Sequence, residues 1–217
     1  MTAPRPPAGW QFTEAASVAR EVTARLFGPL LGWLLHGPVV VGAEHLDELV
    51  EPVIVCPTHE SHFDSSTLRL ALGPRHRRRL APAVAADYFT VSRERWFFAA
   101  WLGAFPFSRA GRGGAESFAT AERLLAAGWS VLIFPEGTRS QTGRLGPFRP
   151  GAGLIAVRTG RQVLPVRIRG TAHALPKGSR MPRRARVVVR FGAPLVALPG
   201  EDARAFTVRL EAAVRAL

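Results

Sequence analysis

Val53-Ile54-Val55-Cys56-Pro57-Thr58-His59-Glu60-Ser61-His62-Phe63-Asp64 begins as an apolar, β-branched run, breaks at a proline and ends at a helix start. A short run that is apolar at every position reads as a buried strand. Ser61 followed three residues later by Asp64 is a capping pattern, which predicts a helix beginning at Ser61. Working outward, Val39 to Val41, Val131 to Phe134, Val163 to Ile168 and Arg186 to Phe191 read as further strands. Between them lie helical stretches. One runs from Ser61 to Leu72 and stops at Gly73-Pro74; another runs from Ala115 to Ala127, with Phe118, Ala121 and Leu125 on one face, and stops at Gly128. Pro150 opens a third, closed by Gly160, and a fourth runs from about Glu201 to the C-terminus. This alternation predicts an α/β fold: a single domain, residues 39–217, with a central, mostly parallel sheet flanked by helices.

Residues 1–38 are expected to form a tail and an amphipathic helix that associates with membrane. No apolar core of a signal peptide is present, because Pro4, Pro6, Pro7 and Glu14 interrupt the first residues. The stretch from Leu26 to Ala43 has no charge, but Gly28, Pro29, Gly37 and Pro38 divide it. Leu30 to Leu35 alone makes about a turn and a half of helix, against the ~20 residues needed to cross a bilayer. An interfacial helix follows, with Arg20 and Arg25 at headgroup level and Phe27, Leu31, Trp33 and Leu34 toward the acyl chains. The other reading is a helix that covers the core of its own domain. The run Trp96-Phe97-Phe98-Ala99-Ala100-Trp101-Leu102 leaves the same choice between lipid contact, an acyl tunnel and core.

Twenty-nine Lys and Arg against 16 Asp and Glu leave a net charge of +13 over 217 residues, and Lys177 is the only lysine. Such a surface attracts phosphates, whether on nucleic acid, anionic lipid or a phosphorylated cofactor. The segments Arg75 to Arg79 and Lys177 to Arg184 are predicted to be solvated. Neither holds a Phe, Tyr or Trp to stack on bases, and no helix-turn-helix or zinc-finger spacing occurs. Nucleic-acid binding is therefore a remote alternative. The single cysteine, Cys56, excludes an internal disulfide and reads as a buried structural thiol.

Two clusters carry chemistry. Residues five apart on a helix point ~140° away from each other, so His59 and Asp64 meet only if His59 lies on the turn before the helix. The cap at Ser61 provides that turn. A carboxylate at Asp64 would keep one imidazole nitrogen protonated and leave the other as a base. Two rival readings stand beside this one. His59, Glu60, His62 and Asp64 are all of ligand type, but no second cluster completes a metal site and none is expected; alternatively Asp64 only caps a helix and His59 is a loop histidine. The second cluster is Phe134-Pro135-Glu136-Gly137-Thr138-Arg139-Ser140. Pro135 ends a strand, Gly137 lets backbone amides turn toward an anion, and Arg139 offers a fork of donors. Gly146 to Ala152 follows as a tight turn into a helix start, where amides again favour anions. No Gly-x-Ser-x-Gly elbow is present.

In these blocks the chain resembles the glycerolipid acyltransferase family, whose best-known members are the 1-acylglycerol-3-phosphate acyltransferases. His59-x4-Asp64 is similar to the catalytic block. Gly103-Ala104-Phe105-Pro106-Phe107-Ser108-Arg109 resembles the second, which ends in a substrate-binding arginine. Phe134 to Ser140 resembles the third, associated with the acceptor phosphate, and Val163-Leu164-Pro165-Val166 resembles the fourth. The resemblance implies that residues 39–217 are an acyltransferase domain, with His59 and Asp64 catalytic and Arg109, Glu136, Gly137, Thr138 and Arg139 substrate-binding. It implies transfer of a fatty acyl group from acyl-coenzyme A or acyl carrier protein to the free hydroxyl of a lysophospholipid, most readily 1-acylglycerol-3-phosphate, giving phosphatidic acid. Another lysolipid or glycolipid acceptor is the alternative. No bound cofactor is expected, the partners being both substrates and an anionic membrane surface, with peripheral attachment at the cytoplasmic face. Two departures stand out: Thr58 where asparagine is common, and the acidic Glu60 after the histidine.

Overall fold

The computed structural model describes residues 9–89, 92–108, 112–140, 144–176, 179 and 181–217. Its first helix, α1 (Glu14–Leu34), is capped by the Thr13 hydroxyl, which accepts from the Ala16 amide at 3.2 Å. The helix runs unbroken for 21 residues through Gly28 and Pro29, where the sequence predicted a division. A proline in a helix removes one hydrogen bond and clashes one turn back, at about 3 kcal/mol. Packing on both sides offsets this: Ser17 and Arg20 are buried before Pro29, and Leu31 and Leu35 join the core after it. Among the described residues no helix is long and apolar enough to cross a membrane.

Strand β1 (Val39–Val41) leads to β2 (Ile54–Pro57), then α2 (Asp64–Arg77), β3 (Leu80–Ala85), α3 (Arg93–Trp101) and β4 (Phe105–Phe107). The chain continues through α4 (Arg112–Ala126), β5 (Ser130–Leu132), α5 (Gly151–Thr159), β6 (Val163–Arg169) and the single turn α6 (Thr171–Ala174). It ends with β7 (Val188–Phe191) and α7 (Ala203–Ala216). The seven strands form one sheet in the order β1-β7-β6-β2-β5-β3-β4. Every pairing is parallel except β6 with β7, so the mostly parallel α/β sheet is as expected. Strands β3 and β4 were not anticipated, since Leu80-Ala81-Pro82-Ala83 and Phe105-Pro106-Phe107 lack the β-branched runs that marked the others.

Alternating side chains give the sheet two apolar faces. Ile54, Cys56, Val131 and Val163 pack against α4, α5 and α7 through Leu124, Ile155, Phe206 and Leu210. Val53, Val55, Leu132, Leu164, Val166 and Val189 pack on the other side against Leu68 and Leu72 of α2 and Leu35 after α1. Cys56 is fully buried, as expected, and burial pushes its thiol pKa up.

The basic segment 75–79 differs from its reading as solvated. His76 and Arg77 are buried: His76 Nδ1 lies 2.6 Å from Glu51 Oε1, and Arg77 makes a two-pronged pair with Glu21 at 2.7 and 2.8 Å. Gly73, at φ 71°, kinks α2 just before this segment. Parallel strands with helical crossovers place the turns after β2, β5 and β6 at the same end of neighbouring strands. This carboxyl end, with β2 lying between β5 and β6, is where sheets of this type bind ligands.

Candidate active site

Helix α2 starts at Asp64, three residues later than the capping pattern suggested, and the reason lies in the Asp64 side chain. Instead of Ser61 capping the helix by its hydroxyl, the Asp64 carboxylate folds back over the turn that precedes it. Its Oδ2 accepts from the amides of Glu60 at 2.6 Å and Ser61 at 2.8 Å, while the Ser61 hydroxyl donates to Leu175 O. The same Oδ2 meets His59 Nδ1 at 2.7 Å, and Asp64 is completely buried where His59 is 19% exposed. An oxygen that already takes two amide protons acts as an acceptor, so Nδ1 is the imidazole nitrogen that donates to it, and in the neutral ring Nε2 is then the nitrogen with the lone pair. The other carboxylate oxygen, Oδ1, accepts from the hydroxyl of Thr171. The imidazole also stacks on Phe134, with centroids 3.8 Å apart and planes inclined by 19°. The ring is thus held by a hydrogen bond at one edge and by a flat aromatic surface over its face.

The third block is tied to this turn by its backbone. Ser140 N donates to His59 O at 2.8 Å, and Arg149 N donates to Pro135 O at 2.8 Å. Gly137 has φ 68°, a conformation that a side chain would strain. Glu136 was predicted to bind substrate, but both of its oxygens are occupied within the protein. Oε1 accepts from His59 N at 2.9 Å and Oε2 from Gly146 N at 3.0 Å. A buried carboxylate between two amides is a staple that joins the loop after β5 to the turn that carries His59. Thr138 is exposed and Arg139 half-buried on the same loop. Arg109 follows β4 in the chain and lies outside the described residues.

Glu60 reaches the turn after β6, where Gly170 N donates to its Oε2 at 3.2 Å. Burial is the main cause that raises its pKa, helped by the Asp64 charge and opposed by the Gly170 and Ala172 amides and Arg169. Thr58, in place of asparagine, bonds both backbone groups of Ile168, donating to its carbonyl at 3.0 Å and accepting from its amide at 2.9 Å. Thr58 therefore continues the β2–β6 pairing past the strand end. Thr171, Phe134 and Thr58 carried no assigned role in the sequence reading. Only the Gly170-Thr171 pair at a strand end gave a signal, since glycine at φ 97° opens the turn that aims Thr171 at Asp64. Among the described residues no group of three or more His, Cys, Asp or Glu is placed to hold a metal ion.

A family model described as Acyltransferase matches residues 38–169. The chloroplastic 1-acyl-sn-glycerol-3-phosphate acyltransferase BAT2 of Brassica napus is 32% identical over 157 residues, covering 72% of this chain and 44% of that protein. The chloroplastic 1-acyl-sn-glycerol-3-phosphate acyltransferase LPAT1 of Arabidopsis thaliana is 33% identical over 141 residues, covering 64% and 38%. The chain thus spans less than half the length of these two plant relatives. Among solved structures, the 1-acyl-sn-glycerophosphate acyltransferase PlsC of Thermotoga maritima superposes with a TM-score of 0.73 at 25% identity, covering 94% of this chain and 80% of that one.

Proposed function

This chain belongs to the glycerolipid acyltransferase family, and from that premise we propose that it acylates the free hydroxyl of 1-acylglycerol-3-phosphate, using a fatty acyl thioester as donor. The observation that carries the reading is the His59 Nδ1–Asp64 Oδ2 contact of 2.7 Å, which makes Nε2 the available base of the neutral ring. In the proposed step Nε2 takes the proton of the acceptor hydroxyl as its oxygen attacks the thioester carbonyl. The C–S bond then breaks, and the thiolate leaves with the proton returned by the imidazolium. Asp64 keeps its charge throughout and stabilises the imidazolium between the two events. General-base catalysis of this kind contributes ~10²–10⁴-fold, and correct positioning of two substrates lowers a barrier by ~7–11 kcal/mol in favourable cases.

Arg139 and Arg109 are proposed to hold the acceptor phosphate, with Gly137 and Thr138 shaping the loop beside it. Glu136 supports them by fixing that loop to His59. The donor is acyl-coenzyme A or an acyl carrier protein. The acceptor is proposed to reach the site from a membrane surface. Val18, Val22, Leu26, Leu30 and Trp33, spaced four, four, four and three apart, form one exposed apolar stripe on α1. Trp96 and Phe97 of α3 are also exposed, and Trp10 stacks on Phe97. Cations accompany the stripe: Arg25 is exposed, and the Arg184 guanidinium lies 4.5 Å above the Trp33 ring. Apolar insertion flanked by arginines suits a peripheral helix on anionic lipid, at the cytoplasmic face.

A mass-spectrometric panel of lysolipid and glycolipid acceptors with acyl-coenzyme A tests the reading. Phosphatidic acid formed from lysophosphatidate is the expected product. Acylation of a different acceptor alone would replace the proposed substrate and leave the chemistry standing, and no acylated product from any acceptor would end the proposal. Flotation with anionic vesicles tests the attachment. Leu26→Glu with Leu30→Glu is expected to abolish flotation that persists in the parent at ~0.5 M salt, since screening at that strength removes most surface electrostatics.

A further inference from the structure

At the end of β6 the sheet carries a charge arrangement that the acyl-transfer step does not use. Arg167 and Arg169 alternate with Ile168, so both project from the face that α7 covers while Ile168 enters the opposite core. The antiparallel register then sets Arg190 of β7 directly across from Arg167. Like charges opposite one another in a sheet are destabilising. Among the described residues, none of Arg167, Arg169 and Arg190 is in an ion pair with a carboxylate. Arg167 spends one nitrogen on the carbonyl of Arg215, at 2.8 Å. Arg144, from the loop after the third block, joins Arg167 and Arg169 in lining a cleft that Thr58, Glu60 and Ser140 complete.

The two carboxylates bordering this cleft accept from backbone amides. Glu136 is occupied by the His59 and Gly146 amides, and Glu60 is turned to Gly170 N. Burial first, and then the neighbouring charges of Arg169, Arg215 and Arg190, hold the Arg167 pKa below its ordinary value, with Glu60 acting the other way. A site whose own cations repel one another is relieved by an anion. Its extent shows which kind: residues two apart on a strand are ~7 Å apart and cross-strand neighbours ~5 Å, so the row is wider than one phosphate needs.

We propose that Arg144, Arg167, Arg169 and Arg190 seat the phosphates of the nucleotide end of an acyl-coenzyme A donor. This rests on the acyl-transfer reading above and deepens it. Of the substrates in that reaction, coenzyme A alone carries several phosphates, whereas the acceptor brings one and the prosthetic arm of a carrier protein brings one. Position agrees. Thr58 and Glu60, which line the cleft, flank His59 in the chain. The arginine cleft therefore adjoins the turn that holds the imidazole, and the flexible pantetheine arm would bridge the two.

The test compares the parent with Arg167→Gln/Arg169→Gln and, as a second variant at an exposed position, Arg190→Gln, each checked for fold by circular dichroism. Acyl-coenzyme A and lysophosphatidate are varied in turn. Adenosine 3′,5′-bisphosphate is added as a competitor, and binding of free coenzyme A is measured by calorimetry. For the double variant, the KM for acyl-coenzyme A is expected to rise by about tenfold or more with the acceptor KM moved by less than about twofold. Competition by the bisphosphate and binding of free coenzyme A should weaken in step, and Arg190→Gln should shift both in the same direction by less. An acceptor KM that rises instead, a loss confined to acyl carrier protein as donor, or unchanged coenzyme A binding in the double variant overturns the proposal. Because calorimetry needs no turnover, coenzyme A binding that depends on the row would support it even if the parent failed to acylate any acceptor, which would sink the acyl-transfer reading alone.

Discussion

The arginines at the two ends of the sheet share a charge and differ in burial and in ion pairing. Beneath the amino ends of β3 and β5, Arg77 grips Glu21 with two nitrogens, and Arg69 donates to the carbonyl of Leu80 at 3.1 Å. Arg20 donates to Ser17 Oγ and lies over the Trp129 ring, 5.7 Å from its centroid. All three are buried, and desolvation brings the pKa of Arg20 and of Arg69 down to about 10. Arg20 Nε and Nη1 have no hydrogen-bond partner among the described residues, which makes this end a place where packing carries a polar cost. At the carboxyl ends, Arg169 and Arg190 are exposed, and among the described residues neither is in an ion pair with a carboxylate. One group joins α1 to α2 and β3, and the other is the row proposed to seat the donor's phosphates. A net charge of +13 holds both populations and cannot tell them apart. Burial and partnership can.

The same division extends to the carboxylates, and it sets the order of expected effects. Asp64→Asn, at the carboxyl end, keeps the shape but loses the acceptor that orients His59, and a rate loss of ~10³–10⁴-fold is expected from product formation under saturating substrates. A loss below about tenfold would break the assignment of that end to chemistry. Glu21→Ala, at the amino end, leaves buried Arg77 without its anion. The expected cost is about 3 kcal/mol, read as a lowered denaturant midpoint, with the rate per folded molecule little changed. Thr171→Val removes only one hydrogen bond to Asp64. About 1–2 kcal/mol of barrier, roughly tenfold in kcat with KM nearly constant, is the expected result.

The smallest effect concerns acid. Arg77, chiefly through its hydrogen bond, holds the Glu21 carboxyl below the usual glutamate range, with Arg25 adding to this and burial opposing it. A folded-state pKa lower than the unfolded one contributes stability above the unfolded value and loses it as pH falls through the folded value. The stability gap between the parent and Glu21→Gln is therefore expected to be full at neutral pH. It should close in acid denaturation as pH falls below the unfolded glutamate value of ~4.3. A gap that widens in acid would contradict the pairing.

Much of the carboxyl end was legible in the sequence because its strands are β-branched and its turns are marked by proline and glycine. Ile54 to Cys56, Val131 and Val163 to Ile168 announce themselves, and so do the turns holding His59 and Gly137. The amino end was less legible, since pairing at a distance decides it. Nothing local reveals that Arg77 will meet Glu21, so the segment read as solvated. Pro29 looked like a break because its cost is local, whereas the packing of Leu31 and Leu35 that outweighs it is tertiary. Within the site, Asp64 folding back onto two amides was half visible in the spacing from Ser61. Thr171 was marked only by the glycine before it, because it reaches Asp64 through the β2–β6 pairing.

The most direct measurement is acyl transfer by His59→Ala, with fold matched to the parent by circular dichroism, using acyl-coenzyme A and lysophosphatidate. Loss of a general base at Nε2 is expected to lower turnover by ~10²–10⁴-fold while leaving the stability set by the Glu21–Arg77 end in place. Turnover retained within about tenfold of the parent would contradict base catalysis by His59.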